Sequence, residues 1–332
     1  MFVRKKIMTG LIVIATIVIV LFCLNKYYAS RQNQNQIYGV SFNEEYADYL
    51  KLNSRQVFTA ILDDLGFKRI RLSAQWDVIE KEKGKYDFSS LDWYMDEAVK
   101  RKVKVILVVG QKIPRWPECH PPKWAMSLSD EEYFKTLDSF VEATVKHYRT
   151  HSALEIWQVE NEPFLDFGVC RKFSDEMLKK EIETIKNLDA AHLTLVTDSG
   201  ELSTWQKSAK RGDLFGATLY RVVWNKTFGY FSYDWLTPLF YRVKLWLANR
   251  ASDQSFIVEL QAEPWVTDTD IHTFSIKEQY KSMSPERFQK NIDYAKRVGF
   301  SRAYLWGAEW WYWMKEKNNI SDFIDLAKKL KK

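Results

Sequence analysis

Gly66-Phe67-Lys68-Arg69-Ile70-Arg71-Leu72-Ser73 reads as a helix that ends on glycine and runs straight into a strand. Glycine enters the left-handed turn that closes a helix without steric cost. Near the far end of the chain, Gly299-Phe300-Ser301-Arg302 repeats the same joint. Two such joints so far apart indicate repeating helix–strand units, and the segments between them alternate accordingly. Short apolar runs at 37–41, 69–73, 103–109, 154–159, 193–197, 214–219, 256–258 and 302–305 predict eight strands. Longer amphipathic stretches separate them. Ser129 with Glu132 forms a capping box, Ser284 precedes Pro285 at a first helical turn, and 234–250 carries the pattern of the sixth helix. The alternation over 37–332 predicts one α/β domain, a (β/α)8 TIM barrel, whose chemistry belongs at the C-terminal ends of the strands. An open doubly wound sheet is the alternative fold. No Gly-x-Gly-x-x-Gly and no phosphate loop follows any strand, so no nucleotide cofactor is signalled.

The composition fits a large globular core: 332 residues, 46% hydrophobic and 28% charged. Disordered and collagen-like chains are excluded. The excess of Lys and Arg over Asp and Glu, 49 against 43, gives a net charge of +6 spread along the chain. It forms no basic run interleaved with aromatics, so a nucleic-acid partner is not expected. The 14 Trp, 17 Tyr and 20 Phe exceed what a core needs and suggest an aromatic-lined groove, because flat, partly polar rings suit a partly polar ligand. The five histidines, at 120, 147, 151, 192 and 272, lack metal-ligand spacing, and no Ser or Cys triad is present. Neither a metal nor a cofactor is expected.

Residues 7–24 are 18 uncharged, mostly apolar positions preceded by Arg4, Lys5 and Lys6. That pattern predicts one N-terminal transmembrane helix with its N-terminus in the cytoplasm. The run is longer than a signal-peptide core and no A-x-A site follows, which favours an uncleaved anchor. The polar segment 25–36 reads as a flexible stalk. The expected organisation is therefore a cytoplasmic stub and anchor at 1–24, a stalk at 25–36, and a catalytic barrel at 37–332, membrane-anchored, single-pass and extracytoplasmic.

Trp157-Gln158-Val159-Glu160-Asn161-Glu162-Pro163 places acidic groups at the end of the fourth strand, and Phe256-Ile257-Val258-Glu259-Leu260-Gln261 delivers Glu259 at the end of the seventh. Two carboxyl groups then face one mouth. These residues resemble the retaining glycoside hydrolases of clan A, the (β/α)8 group that includes cellulases, mannanases, xylanases and β-galactosidases. The resemblance runs along the barrel through Arg69-Ile70-Arg71-Leu72-Ser73, Trp76, Ile79-Glu80, Gly84, Tyr86-Asp87-Phe88, Leu91-Asp92, Pro114-Arg115-Trp116, Tyr220 and Trp306. It implies Glu162 as acid/base and Glu259 as nucleophile. It also implies Asn161 on the sugar hydroxyl beside the reacting carbon, Tyr220 on the nucleophile, and Trp306 as the floor beneath the sugar. Cleaving a glycosidic bond needs one protonated and one ionised carboxyl group, and Arg71 is the cation expected to hold Glu259 ionised.

Glu160, deeper on the fourth strand, is expected to be structural, and Glu263 is the rival nucleophile. Trp76, Trp116 and Trp265 are candidate sugar platforms. Trp124, Trp224, Trp310, Trp311 and Trp313 follow the third, sixth and eighth strands and are expected around the mouth or covering its rim. Cys119 and Cys170 fall in loops after consecutive strands, which are neighbours in a barrel, so a disulfide between them is expected, with two free thiols as the alternative. The reading as a whole is a glycosidase acting on a β-linked glycan without a cofactor. A transglycosylase using the same pair and a non-catalytic sugar-binding barrel are the alternatives.

Overall fold

A computed structural model of the chain describes residues 2–30, 32–265 and 270–330. Eight parallel strands close into a barrel: β1 (Ile37–Ser41), β2 (Arg69–Ser73), β3 (Lys104–Val109), β4 (Leu154–Val159), β5 (Leu193–Asp198), β6 (Leu214–Leu219), β7 (Ser255–Gln261) and β8 (Arg302–Trp306). The ring closes where β1 pairs with β8 through Ile37 and Arg302, and with β2 through Val40 and Ile70.

Alternation along each strand sends one set of side chains into the barrel and the other toward the helices. Ile106, Ile156, Leu195, Leu214, Phe256, Val258 and Tyr304 form the interior cluster. Tyr304 fits because it faces Gly39, where a Cβ would lie 2.7 Å from its ring. Below this layer Glu155 accepts hydrogen bonds from Arg69 at 3.2 Å and Arg302 at 3.0 Å, so the half-buried charges at the barrel floor are paired.

The capping signals appear as helix starts. Ser129 and Glu132 form the reciprocal box of helix Asp130–Tyr148, and helix Pro285–Val298 begins at Ser284 and ends at Gly299 with φ 82°. The sixth helix is shorter than its sequence pattern, Pro238–Leu247, because Pro238 sets its first turn; a hairpin of Val222–Asn225 with Gly229–Ser232 precedes it. Between β5 and β6 the chain makes only a 3₁₀ turn, Ser208–Lys210.

The expectation for the N-terminus is corrected. Among the described residues, no helix is long and apolar enough to cross a membrane. The apolar run at 7–24 belongs to a longer helix, Phe2–Ser30, which continues through half of the supposed stalk and packs on helices Pro238–Leu247 and Pro285–Val298. The rest of the stalk is fastened to the barrel. The Asn33 backbone N–H donates to the Lys296 carbonyl at 2.9 Å, and its amide donates to Phe300 O at 3.1 Å. The transmembrane anchor, and the membrane-anchored extracytoplasmic placement built on it, are withdrawn. Counting uncharged residues revealed neither how far the helix runs nor that it leans on the barrel.

Candidate active site

Arg71, on β2 and 1% exposed, organises the mouth. Its guanidinium donates in three directions, from Nε to Gln158 Oε1, from Nη1 to Glu259 Oε1 and from Nη2 to Asn161 Oδ1, each at 2.8 Å. The other Glu259 oxygen accepts the Tyr220 hydroxyl at 2.9 Å, so both its oxygens meet donors. Burial, and then the Glu259 charge, push the Tyr220 phenol well above its ordinary range, which keeps it a donor.

A bulge aims Glu259 into the mouth. Ala217 of β6 pairs with Ile257, but the next residue, Thr218, pairs with Glu259, leaving Val258 as an extra residue. In a regular strand of the same residues, alternation from the interior Phe256 would turn Glu259 toward the helices.

At the end of β4, Glu160 and Glu162 both adopt left-handed backbone, with φ 60° and 46°. Such conformations cost about 1–3 kcal/mol each and persist only where the surroundings hold them. The Glu160 carboxyl provides that hold, accepting the Gln111 and Lys112 backbone N–H groups at 2.7 Å each. Gly110, with φ 130°, is required beside it, since a Cβ there would lie 2.3 Å from Glu160 Oε1. Lys112 then donates to the Glu162 carbonyl at 3.2 Å, and the Glu162 N–H donates to Thr197 Oγ1 at 2.9 Å. The Glu162 carboxyl accepts Thr218 Oγ1 at 3.1 Å. Burial first, then the charges of Glu259 and Glu118, raise its proton affinity well above the usual carboxylate range. One glutamate is thus clamped by donors, and the other is placed to hold a proton.

Trp306 lies at the end of β8 with the Arg115 guanidinium 4.3 Å over its ring; Tyr46 covers the same guanidinium at 3.5 Å. Arg115 also pairs with Glu263 at 3.0 Å, so the rival nucleophile is engaged in an ion pair. Trp265 meets Tyr220 edge-on at 5.4 Å, and Trp116, 63% exposed, meets Phe167 at 5.7 Å on the rim. Cys119 and Cys170 are joined in a disulfide that ties the loop after β3 to the loop after β4.

Several expected platforms are elsewhere. Trp76, 1% exposed, lies among Trp124, Tyr133 and Phe140 with its N–H on Glu80 at 2.6 Å, where no sugar can stack. Trp310 and Trp311 are buried in helix Ala308–Asn318, donating to Gln279 and to the Ala262 carbonyl, and Trp313 is buried with them. Trp124 is half-buried with its N–H on the Glu80 carbonyl, and Trp224 sits on the hairpin. Gln158, Lys112, Thr197, Thr218 and Glu118 join the site without having been singled out in the sequence. Gln158 had a signal, as a polar residue in register with the interior-facing Ile156.

The barrel closes on eight parallel strands and carries its carboxyl groups on β4 and β7. A model of the glycoside hydrolase family 42 β-galactosidases matches residues 56–207. The chain has the barrel fold of the clan A glycoside hydrolases. Its sequence is 25% identical over 168 residues to β-galactosidase BgaA of Clostridium cellulovorans, covering 44% of this chain and 25% of that protein. It is 26% identical over 133 residues to endo-1,4-β-xylanase B of Thermotoga neapolitana, covering 37% and 36%. The chain thus matches about a third or less of each curated relative's length. In structure it resembles native xylanase 10B from Thermotoga maritima, with a TM-score of 0.54, 15% identity, and coverage of 82% of this chain and 83% of that one.

Proposed function

We propose that this clan A barrel is a retaining glycoside hydrolase acting on a β-linked oligo- or polysaccharide, with Glu259 as nucleophile and Glu162 as acid/base. The observation that carries the reading is the contrast between the two carboxyl groups. Glu259 accepts at both oxygens, from Arg71 and from Tyr220, whereas burial and neighbouring charge drive Glu162 toward its protonated form.

In the first step Glu162 gives its proton to the departing glycosidic oxygen, while a Glu259 oxygen attacks the anomeric carbon and the exocyclic C–O bond breaks. The product is a glycosyl ester on Glu259. Glu162, now a carboxylate, takes a proton from water as that water attacks the anomeric carbon and releases Glu259. Two substitutions at one carbon retain its configuration. Asn161 addresses the neighbouring sugar hydroxyl, Trp306 offers an indole face to the ring, and Trp265 and Trp116 extend the surface toward further sugars. No step draws on a cofactor.

The β-galactosidase and xylanase among the relatives make β-galactosides and β-xylosides the first substrates to offer the full chain, as 4-nitrophenyl glycosides alongside β-glucosides and β-mannosides. The 2-deoxy-2-fluoro dinitrophenyl glycoside of the sugar turned over should then leave a glycosyl adduct on the peptide holding Glu259. An adduct on Glu263, or an inverted anomer formed first by NMR, would overturn the assignment.

A further inference from the structure

Glu118 has no part in the two-carboxyl reaction, yet it is 7% exposed and built into the same cluster. Its Oε2 accepts the Asn161 amide from Nδ2 at 3.3 Å. The loop that carries it is held on several sides. Its N–H donates to the Arg115 carbonyl and its own carbonyl accepts the Ile113 N–H, both at 2.8 Å. The next residue, Cys119, is bridged to Cys170, and Gly168 packs so closely that a Cβ there would lie 2.6 Å from Glu118 Cβ.

Asn161 can be oriented in one way only. Its Oδ1 receives Arg71 Nη2 at 2.8 Å, and a guanidinium has no acceptor, so the oxygen faces Arg71 and the NH₂ group faces Glu118. That NH₂ carries two hydrogens, and Glu118 takes one.

We propose that Glu118 is a positioning residue for the glycosidic reaction, holding the Asn161 amide opposite Arg71 so that its second hydrogen is left for the sugar. This rests on the glycosidase reading. A hydroxyl beside the anomeric carbon bonds more strongly as charge develops there, so fixing its donor acts mainly on the transition state.

Charge gives the role a second readout. The groups facing Glu118 are Glu259 from β7, Lys112 from the end of β3, Arg71 from β2, and Asn161 and Glu162 from the end of β4. Burial, then Glu259, push the Glu118 carboxyl up to about 7, against Lys112, Asn161 and Arg71. Its anion helps raise Glu162. Removing that charge lets Glu162 lose its proton at lower pH.

The test compares Glu118→Gln and Glu118→Ala in the full chain, using the 4-nitrophenyl glycoside that the wild type turns over. Glutamine keeps an acceptor for Asn161 and loses the charge; alanine loses both. The alkaline limb of kcat/KM should move down by roughly half a pH unit in both variants. The kcat should fall about tenfold in E118A with little change in KM, and stay within about threefold in E118Q. An active wild type with E118A unchanged in kcat and in its alkaline limb overturns the proposal alone. Equal losses in both variants that track a lowered melting temperature make Glu118 merely structural and also overturn it. A wild type inert on every glycoside overturns the glycosidase reading and this proposal with it.

Discussion

At the scale of the residue, Arg71 shows how little of the mouth is interchangeable. Its planar fork reaches Gln158, Asn161 and Glu259 at once, and a lysine ammonium is a point charge that cannot reproduce the three directions. Arg71→Lys is expected to lower kcat/KM at least about a hundredfold. Arg71→Met leaves Glu259 buried without its cation and should cost about 3–5 kcal/mol in urea unfolding. An Arg71→Met protein as stable as the wild type would mean that the fork does not organise the site. The types and strand-end positions of Arg71, Asn161, Glu162, Tyr220 and Glu259 made them legible in the sequence. The tryptophans were less so, because an indole serves a core as readily as a sugar. Trp76 differs from Trp306 only in what surrounds it, and helix Ala308–Asn318 sets indoles at 310, 311 and 313, which mark no single face.

Elements add what residue types do not carry. Gly66 and Gly299 announced helix ends, and eight apolar runs announced strands, since both signals are local in the chain. The Val258 bulge is not local. It exists only because β6 and β7 pair with an offset of one residue, and strict alternation in 256–260 would have faced Glu259 the wrong way. The loop after β3 is similar, since nothing in Pro117-Glu118-Cys119 announces that Glu118 folds back toward Asn161. The bridge that follows it links positions 51 residues apart, which in the chain-entropy model contributes about 4 kcal/mol. Cys119→Ser with Cys170→Ser should lower the melting temperature by roughly 5–10 °C. It should also reduce kcat more than it raises KM, because the bridge holds the loop that carries Glu118. A double variant that melts like the wild type would show that packing alone holds these loops.

Across the whole molecule, the barrel buries more carboxyl groups than its cations neutralise. Burial pushes Glu160 up to about 8 and Glu118, Glu201 and Glu309 to about 7, and raises Glu162 and Glu181 well above the ordinary carboxyl range. Each of these binds its proton more tightly in the folded chain than in the unfolded one. Their stabilisation is therefore complete below about 4.5 and is lost as pH rises through the raised values. The lowered aspartates, among them Asp63, Asp175 and Asp234, act only below the ordinary carboxyl range, and Lys244, lowered to about 8, offsets the loss only above that value. The melting temperature should fall by roughly 5 °C or more between pH 5 and pH 8. Glu181→Gln, which sets a permanent donor beside Glu160, should flatten that slope. A wild type equally stable at both pH values would contradict the balance of charge described for the interior. The N-terminal run was least legible at this scale, because hydropathy along seven to eight helical turns does not reveal what lies beside the helix.

The single extra residue in β7 has a consequence for how such a protein could change over generations. An in-frame loss of the codon for Val258 would remove one interior side chain and leave Ile257 and Glu259 as consecutive partners of Ala217 and Thr218, with Glu259 still facing the mouth. Arg71, Asn161 and Trp306 would stay where they are, on other strands. We expect the encoded protein to melt below the wild type, because space inside the barrel is emptied, while turnover of the same glycoside stays detectable. A barrel of this kind can shed its kink in one deletion without turning that glutamate away.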